Sequence, residues 1–279
     1  MLPTMPGLAK SLMLSLLTNK SPLFLLVACF LVLLCSCSAI IEPPSGARVE
    51  NRIGRELIAN WSDQVGSPSS IQGVARIEVN APGSEFKGSQ VLLAESPAYF
   101  RAESLSPFGV PLLTLVANRT ELNVLLPVQN VFYRGQASAD NLRRFTRIPL
   151  RPSALVGLLL CQAPALQDGG FNTYAQPDGG WVIDVVDAKP HQRLYFDGTG
   201  RLTAIHSYVS GQSLVMRYFD HGRLVTGFPA RFELSAPRTG TVVGLNFSEQ
   251  RLNRKFQSGI FHLAPPLGTT IFELDGGNG

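Results

Sequence analysis

Cysteine and histidine are the side chains that most often act as nucleophiles and metal ligands, and this 279-residue chain contains four of each. The histidines are isolated in the sequence and lack the spacing of metal ligands; they are His191, His206, His221 and His262. Cys161 lies in an apolar segment, where burial would raise its pKa and leave the thiol inert. The sequence therefore predicts no metal site, no cofactor and no catalytic residue among these side chains.

The common motifs of hydrolases and nucleotide-binding proteins are also missing. The chain contains no Gly-x-Ser-x-Gly, no Gly-x-x-x-x-Gly-Lys followed by Ser or Thr, no Gly-x-Gly-x-x-Gly and no His-Glu-x-x-His. Charged residues make up 16% of the chain, against roughly 25% in soluble domains. The net charge of +4 is not concentrated in a dense basic run. We therefore expect neither an enzyme nor a nucleic-acid-binding protein.

The other cysteines belong to an N-terminal segment that has the features of an export signal. Lys10 and Lys20 precede the apolar run 21–34, and no acidic residue occurs before that run. The run has about the length of a signal-peptide hydrophobic region and is short for a membrane-spanning helix. Cys35 and Cys37 follow immediately. An uncleaved N-terminal anchor helix is the alternative interpretation of this segment.

The residues Leu34-Cys35-Ser36-Cys37 resemble a bacterial lipobox, in which a small residue precedes a cysteine that is acylated on sulfur. Cys37 is the candidate for lipidation, and Cys35 is a weaker alternative. We accordingly expect a signal peptide over residues 1–36, a lipidated tether over 37–46 and one folded domain over 47–279. The resemblance implies a lipid-anchored protein that faces the periplasm at the outer membrane.

A second unusual feature is an apolar loop between two segments of alternating polarity. Loops are usually polar, so an apolar loop tip suggests a partner. Pro107, Gly109 and Pro111 prevent regular strand pairing here. The apolar side chains of this loop are Leu105, Phe108, Val110 and Leu112. Either Phe108 folds inward and fills the core, or the loop is a wedge that enters lipid or an apolar groove of another protein.

The elements that must position these residues are mostly strands. Apolar residues at steps of three and four predict a helix over 47–65. From residue 71 to 80, apolar and polar residues alternate, which predicts a half-buried antiparallel strand. Similar segments, among them 202–209, bring the expected total to about 11 strands. Two short helices are predicted at 139–145 and 154–161.

This pattern predicts a single α+β domain. Its expected architecture is a curved antiparallel sheet that forms an incompletely closed β-barrel, with helices on the concave side. Such a sheet can enclose a sizeable apolar hollow with the helices as a lid. Alternation alone does not decide which face of each strand points inward.

The order and spacing of several segments between residues 70 and 164 resemble the LolB family. These segments are Ser106-Pro-Phe-Gly-Val110, Leu112-Leu-Thr-Leu-Val-Ala117, Ile148-Pro-Leu150 and Ala154-Leu-Val-Gly-Leu-Leu-Leu160. LolB proteins are outer-membrane lipoproteins that receive other lipoproteins from the periplasmic carrier LolA. In that family an exposed leucine in a Pro-Leu-Gly loop passes cargo into the membrane, and Phe108 occupies the matching position here.

The resemblance implies a monomer whose partners are a LolA-type carrier, the acyl chains of lipoprotein cargo, and outer-membrane lipid. We expect the cavity wall and its helical lid to consist of Ile71, Ile77, Val91, Leu93, Phe100, Leu122, Val124, Leu126, Trp181, Leu155, Leu158 and Leu159. The alternative is ordinary core packing for each of these residues. An alternative function is a membrane-tethered binding module for another amphiphile, such as phospholipid or lipopolysaccharide, or a structural envelope lipoprotein.

Overall fold

Segments of alternating polarity dominate the chain after residue 70, and in the computed structural model they are strands of one large sheet. The structure describes residues 42–163, 166, 170–186, 190–209 and 211–274. The expected signal peptide and both candidate lipidation sites, Cys35 and Cys37, lie outside these residues.

Fifteen strands occur in the described part of the chain, more than the sequence predicts. They are β1 (Ala47–Val49), β2 (Ser70–Ala81), β3 (Ser84–Glu95), β4 (Tyr99–Leu105), β5 (Pro111–Ala117), β6 (Glu121–Leu126), β7 (Val131–Gln136), β8 (Phe171–Ala175), β9 (Trp181–Val185), β10 (His191–Phe196), β11 (Leu202–Val209), β12 (Gln212–Phe219), β13 (Arg231–Ala236), β14 (Thr241–Leu252) and β15 (Thr270–Glu273).

Three α-helices accompany these strands in the same described ranges: α1 (Asn51–Val65), α2 (Ala139–Thr146) and α3 (Pro152–Leu159). Ser138 caps α2, because its side chain accepts a hydrogen bond from the backbone N–H of Asn141. Pro152 begins α3 at a position where its missing N–H costs nothing. The two short helices predicted from the sequence are therefore confirmed to within two residues at each end.

The strands form one sheet in the order β1-β8-β9-β10-β11-β12-β13-β14-β2-β3-β4-β5-β6-β7-β15. Neighbours pair antiparallel, except that β15 runs parallel to β7. The ladder has two ends, at β1 and β15, so the sheet is unclosed. Side chains from distant strands and from α3 meet in one core, among them Ile71, Leu115, Leu194, Phe247 and Leu158. The sheet must therefore curve around the helices, and the predicted fold class is confirmed.

The start of the predicted first helix is wrong. Residues Ala47–Val49 pair with β8 instead of extending α1, and Val49 lies opposite Thr173. Helix α1 itself packs on β8 at Gly54, where an added Cβ would lie 2.3 Å from Thr173 Oγ1. The helix ends at Gly66, whose positive φ of 65° suits a residue without a side chain. Sequence periodicity misses the strand because its partner is more than a hundred residues away.

Residues 253–269, which we name the outer segment, cross the face of the sheet that points away from the core. Asn253 donates its N–H to the carbonyl oxygen of Ser70 at 3.0 Å. Arg101 Nη1 donates to the carbonyl oxygen of Ile260 at 3.0 Å. Because Phe100 and its alternate neighbours point into the core, Arg101 lies on the opposite face. The outer segment therefore covers the part of the outer face around Tyr99 and Arg101.

Candidate functional site

A cavity of about 870 Å³ remains between the helices and the concave face of the sheet. Small-molecule sites in proteins have volumes of about 300–1,000 Å³. Most of the side chains around the cavity are apolar, including Ile58, Trp61, Val65, Leu158, Leu194 and Phe196. The wall is built by α1, by α3 and the residues after it, by β10 and β11, and by the turn at Ser96-Pro97.

The sequence explains why these elements face the cavity. In α1, the buried residues Leu57, Trp61 and Val65 recur every four positions, so one face of the helix is apolar. Helix α3 carries apolar side chains all around and is buried at nearly every position. In β10, Leu194 and Phe196 alternate with residues on the outer face.

Among the residues predicted to form the cavity wall, Leu158 is the one that lines this cavity. The others on the inner face are part of the packed core around it or pack against that core; they are Ile71, Phe100, Leu122, Val124, Leu155 and Leu159, which are buried, and Ile77 and Trp181, which are half-buried. Leu126 is half-buried and shares its face with Val124, two residues away.

The prediction is wrong for Val91 and Leu93, which lie on the outer face. The register pairs Val91 with Val74 and Leu93 with Gln72, whereas the core residue Ile71 pairs with Ala94. The segment Val91-Leu92-Leu93-Ala94 is apolar throughout, so it contains no alternation that would indicate the inward face. The outer segment covers this part of the sheet, which allows apolar side chains on both faces.

Sequence reasoning missed the contribution of α1 and of strands β10 and β11 to the wall. The apolar stripe of α1, formed by Ile58, Trp61 and Val65, is visible in the sequence and could have indicated that this helix lines the cavity. Nothing in the sequence indicates that Gln192 lines the cavity, since a glutamine at the start of a strand is ordinarily exposed.

Two residues that line the cavity each contain a buried polar atom without a hydrogen-bond partner. Gln192 Nε2 donates to Ser207 Oγ at 3.1 Å, but Gln192 Oε1 accepts no hydrogen bond. Trp61 Nε1 donates none. The two side chains belong to residues that are only 6% and 5% exposed. Cys161 also lines the cavity, and burial raises the pKa of its thiol, in the direction predicted from the sequence.

The loop that contains Phe108 projects into solvent. Phe108 is 93% exposed, so the interpretation in which it fills the core is wrong. Val110 and Leu112 are exposed as predicted, whereas Leu105 is half-buried at the end of β4. Ser106 holds the loop in a tight turn, because its Oγ accepts hydrogen bonds from the N–H groups of Phe108 at 3.3 Å and Val110 at 3.0 Å.

Two further exposed apolar side chains lie at the same end of the strands as Phe108. The loops after β4 and β6 leave the sheet on the same side, since neighbouring strands are antiparallel. Val128 in the second loop is 71% exposed, and Leu267 in the outer segment is fully exposed. Asn130 Nδ2 donates to the carbonyl oxygen of Gly268 at 2.9 Å, which holds these two tips together. We name the side chains of Phe108, Val128 and Leu267 the apolar end.

The histidines are less isolated in space than in sequence. His191 Nε2 lies 2.7 Å from Asp184 Oδ1, which also accepts a hydrogen bond from Arg193 Nε at 2.8 Å. The rings of His206 and Tyr195 lie 4.3 Å apart. These contacts are on the outer face, away from the cavity. Asp184 and Arg193 lie opposite each other on neighbouring strands. The residues next to them along those strands, such as Ile183 and Leu194, point into the core. Across the ranges that the structure describes, no group of three metal-binding side chains occurs.

None of the helices in the described ranges has the length and hydrophobicity needed to span a membrane.

No protein-family model and no curated protein sequence matches the chain. Several solved structures are similar to it. A DUF1329 family protein from Desulfovibrio piger is 14% identical with a TM-score of 0.53, over 76% of this chain and 96% of that chain. A domain named as an outer membrane lipoprotein-sorting protein, from Vibrio parahaemolyticus, is 11% identical with a TM-score of 0.51, over 76% and 97% of the two chains.

A LolA superfamily protein from Nitrosomonas europaea is 16% identical with a TM-score of 0.49, over 75% of this chain and 97% of that chain. At these identities the comparisons show the fold alone. The fold of this chain is an unclosed antiparallel sheet with helices on its concave side, and the two solved structures with a TM-score above 0.5 share this fold.

Proposed function

We propose that this protein is an outer-membrane lipoprotein, anchored through an acylated Cys37, that accepts lipoproteins from a LolA-type periplasmic carrier. It holds the acyl chains of its cargo in the cavity and helps to insert them into the outer membrane. The observation that carries the proposal is the cavity itself, since about 870 Å³ with mainly apolar walls lies inside the sheet.

An acyl chain in transit needs this kind of enclosure. Each CH₂ group that is exposed to water costs about 0.8 kcal/mol, so a bare chain cannot cross an aqueous compartment at an acceptable rate. Ile58 and Val65 on α1 face the cavity, as do Leu194 and Phe196 on β10. An acyl chain that lies between α1 and β10 contacts apolar side chains on both sides in place of water.

The apolar end supports delivery to a bilayer. Phe108 stands at the tip of a tight turn, and Val128 and Leu267 lie at the same end of the strands. A tether over residues 37–46 has a reach of about 30 Å when extended, which is comparable to the thickness of a bilayer core. The domain can therefore turn this end toward the membrane while the lipid anchor stays in place.

Transfer of this kind requires no chemical energy source. Each tenfold increase in affinity from carrier to receiver, or from receiver to bilayer, needs only about 1.4 kcal/mol. The protein acts by binding and release, not by catalysis.

The test is a transfer assay with the purified lipidated protein in vesicles. A carrier loaded with a lipoprotein is added, and the cargo recovered in the vesicles is measured over time. We expect Phe108→Asp to accept cargo but to deliver much less of it, because a charge at the tip opposes entry into lipid. Leu224→Asp is the matched control, since Leu224 is also exposed but lies on the loop after β12.

Equal delivery by the Phe108→Asp variant and the wild type would remove the proposed mechanism. Mass spectrometry of lipids that co-purify with the protein tests the other candidate. Bound phospholipid or lipopolysaccharide, together with failure to accept lipoproteins, would identify a tethered binding module for another amphiphile.

A further inference from the structure

A second pocket, of about 540 Å³, lies on the outer face of the sheet, at the opposite end of the strands from Phe108. We name it the outer pocket. Glu95 and Tyr99 form its floor, where they lie opposite each other at the end of β3 and the start of β4. The turn between β5 and β6, which contains Arg119, borders one side, and residues 256–262 of the outer segment border the other.

Three aromatic rings form a continuous surface in the outer pocket. The ring centroids of Tyr99 and Phe261 lie 5.5 Å apart, and those of Phe256 and Phe261 lie 5.3 Å apart with perpendicular planes. The guanidinium carbon of Arg119 lies 5.8 Å from the centre of the Tyr99 ring. All three aromatic side chains are half-buried, so part of this surface is open to solvent.

The residue types of the outer pocket favour a polypeptide as its ligand. Aromatic residues and arginine are enriched where proteins bind other polypeptides, and they supply much of the binding free energy there. Asn118 and Ser258 also line the pocket and can hydrogen-bond to a peptide backbone. An anionic lipid headgroup fits less well, because the carboxylate of Glu95 repels a phosphate.

The outer pocket and the cavity lie on the two sides of one turn. Ser96 and Pro97 line the cavity, whereas Glu95 and Tyr99, on either side of that turn, line the outer pocket. Glu95 and Tyr99 are each two residues from Pro97, which is about 7 Å at most. A ligand of a few residues can therefore pass from one site to the other.

The cavity also opens beside this turn. Four of the residues that line the cavity are exposed, and the others are buried or half-buried; the four are Ser67, Pro97, Ser153 and Pro190. Residues that line a cavity and are exposed mark the rim where it meets solvent. Because Pro97 belongs to this rim, a ligand held in the cavity can leave it next to the outer pocket.

We propose that the outer pocket binds the polypeptide part of the cargo, namely the first residues after its acylated N-terminal cysteine. Apolar side chains of that segment pack on Tyr99, Phe256 and Phe261, and Arg119 donates a hydrogen bond to a backbone carbonyl oxygen. The inference rests on the proposed function, because it takes the cavity as the site of the acyl chains. The outer pocket would let the protein distinguish a lipoprotein from a phospholipid with the same chains.

The test compares two lipopeptides that carry the same two palmitoyl chains on an N-terminal cysteine. In the short one the cysteine is followed by a single serine, and in the long one by an uncharged octapeptide that contains tyrosine. We expect the wild-type protein to bind the long lipopeptide about tenfold more tightly, which corresponds to about 1.4 kcal/mol. Displacement of a fluorescent fatty acid from the cavity gives both affinities.

Variants of the outer pocket should remove this gain without affecting the cavity. In Phe261→Ala the two lipopeptides should bind equally, because the aromatic surface is interrupted. The short lipopeptide should keep its wild-type affinity, which shows that the fold and the cavity are intact. Arg119→Ala changes an exposed turn residue and should reduce the gain to about threefold, because one hydrogen bond is lost. Arg55→Ala is the matched control, since Arg55 is exposed on α1; it should keep the full gain.

The outcomes distinguish this inference from the proposed function. Equal binding of the two lipopeptides by the wild type, or a full gain in both Phe261→Ala and Arg119→Ala, would overturn the inference and leave the acyl-chain cavity standing. Failure of both lipopeptides to bind would overturn the proposed function as well. Dipalmitoyl phosphatidylethanolamine should bind the wild type and Phe261→Ala equally. Weaker binding by the variant would assign the outer pocket to a lipid headgroup and contradict the inference.

Discussion

The hydroxyl group of Tyr218 on β12 donates a hydrogen bond of 3.0 Å to the carbonyl oxygen of Leu158 in α3, in the buried interior. The same carbonyl accepts the N–H of Cys161 at 3.1 Å, just beyond the end of the helix. The Tyr218 ring packs edge-on against Phe232, with centroids 5.6 Å apart. This bond fixes the helix that forms one wall of the cavity to the strand beneath it.

Removal of the Tyr218 hydroxyl group should therefore destabilise the protein without leaving a large cavity in the core. We expect Tyr218→Phe to lower the free energy of unfolding by about 1 kcal/mol, the typical net value of a buried hydrogen bond. The Leu158 carbonyl keeps its bond to Cys161, which limits the loss. Urea unfolding followed by circular dichroism measures the change, and an unaltered midpoint would contradict the assigned contact.

Occupation of the cavity by a larger side chain should block acyl-chain binding. Ala154 lines the cavity and is half-buried. We expect Ala154→Trp to weaken binding of a fluorescent fatty acid at least about tenfold, since the indole takes volume that the chain requires. Ala59→Trp is the matched control, because Ala59 is exposed on α1. Wild-type affinity in Ala154→Trp would place the ligand elsewhere.

The apolar end should contribute directly to membrane association. We expect the double variant Val128→Asp, Leu267→Asp to bind vesicles about tenfold more weakly, because burial of one leucine side chain gains about 1.5–3 kcal/mol. Vesicle co-sedimentation of the domain without its lipid anchor measures the partition coefficient. Leu224→Asp should sediment like the wild type. Identical partitioning of all three proteins would exclude a role for these tips.

Removal of one partner of the ion pair on the outer face should cost more stability than replacement of both partners. Asp184 and Arg193 are both buried, and His191 contacts the same carboxylate. Asp184→Asn should cost about 3 kcal/mol, because it removes the negative charge that pairs with the buried guanidinium of Arg193. The double variant Asp184→Leu, Arg193→Leu should lie within about 1 kcal/mol of the wild type. Chemical denaturation of the three proteins decides, and a mild effect of Asp184→Asn would count against this account.

Acid should weaken the fold partly through His206. Burial, followed by the charges of Arg217 and Arg193, lowers the pKa of His206 to about 4. A histidine in the unfolded chain titrates near about 6.5, so the unfolded state binds more protons between these values and stability falls as the pH falls through this range.

Because His206 is half-buried and partly screened by solvent, we expect His206→Gln to remove about 1–2 kcal/mol of that acid-dependent loss. Unfolding free energies of both proteins at about pH 7 and about pH 4.5 give the difference. The same pH dependence in wild type and variant would show that His206 does not contribute.

Local patterns in the sequence predict much of this fold. Strand β11 has the predicted bounds, Leu202–Val209, and β2 extends the predicted segment by one residue at each end. Both strands alternate between an apolar face and a more polar one, so periodicity is informative. The short helix α2 is likewise marked by its cap at Ser138.

Other features depend on contacts between distant segments and leave no local signal. Residues Ala47–Val49 continue the periodicity of α1 and become a strand only because β8 is there to pair with. The face of Leu93 is undetermined in a wholly apolar run, and a chain segment from the C-terminal part covers it. The position of the cavity is a property of packing, since residues such as Phe100 and Leu122 are equally apolar but lie where the core is filled.

The two outermost strands of the sheet are short, with three residues in β1 and four in β15. Long unpaired edges invite intermolecular β-pairing and aggregation, and here the edge of β7 is occupied by β15. Another polypeptide therefore has few unpaired backbone groups at the edges of the sheet with which it could pair as an added strand. A partner that binds this protein would therefore have to contact side chains at the rims of the sheet more than the backbone of an edge strand.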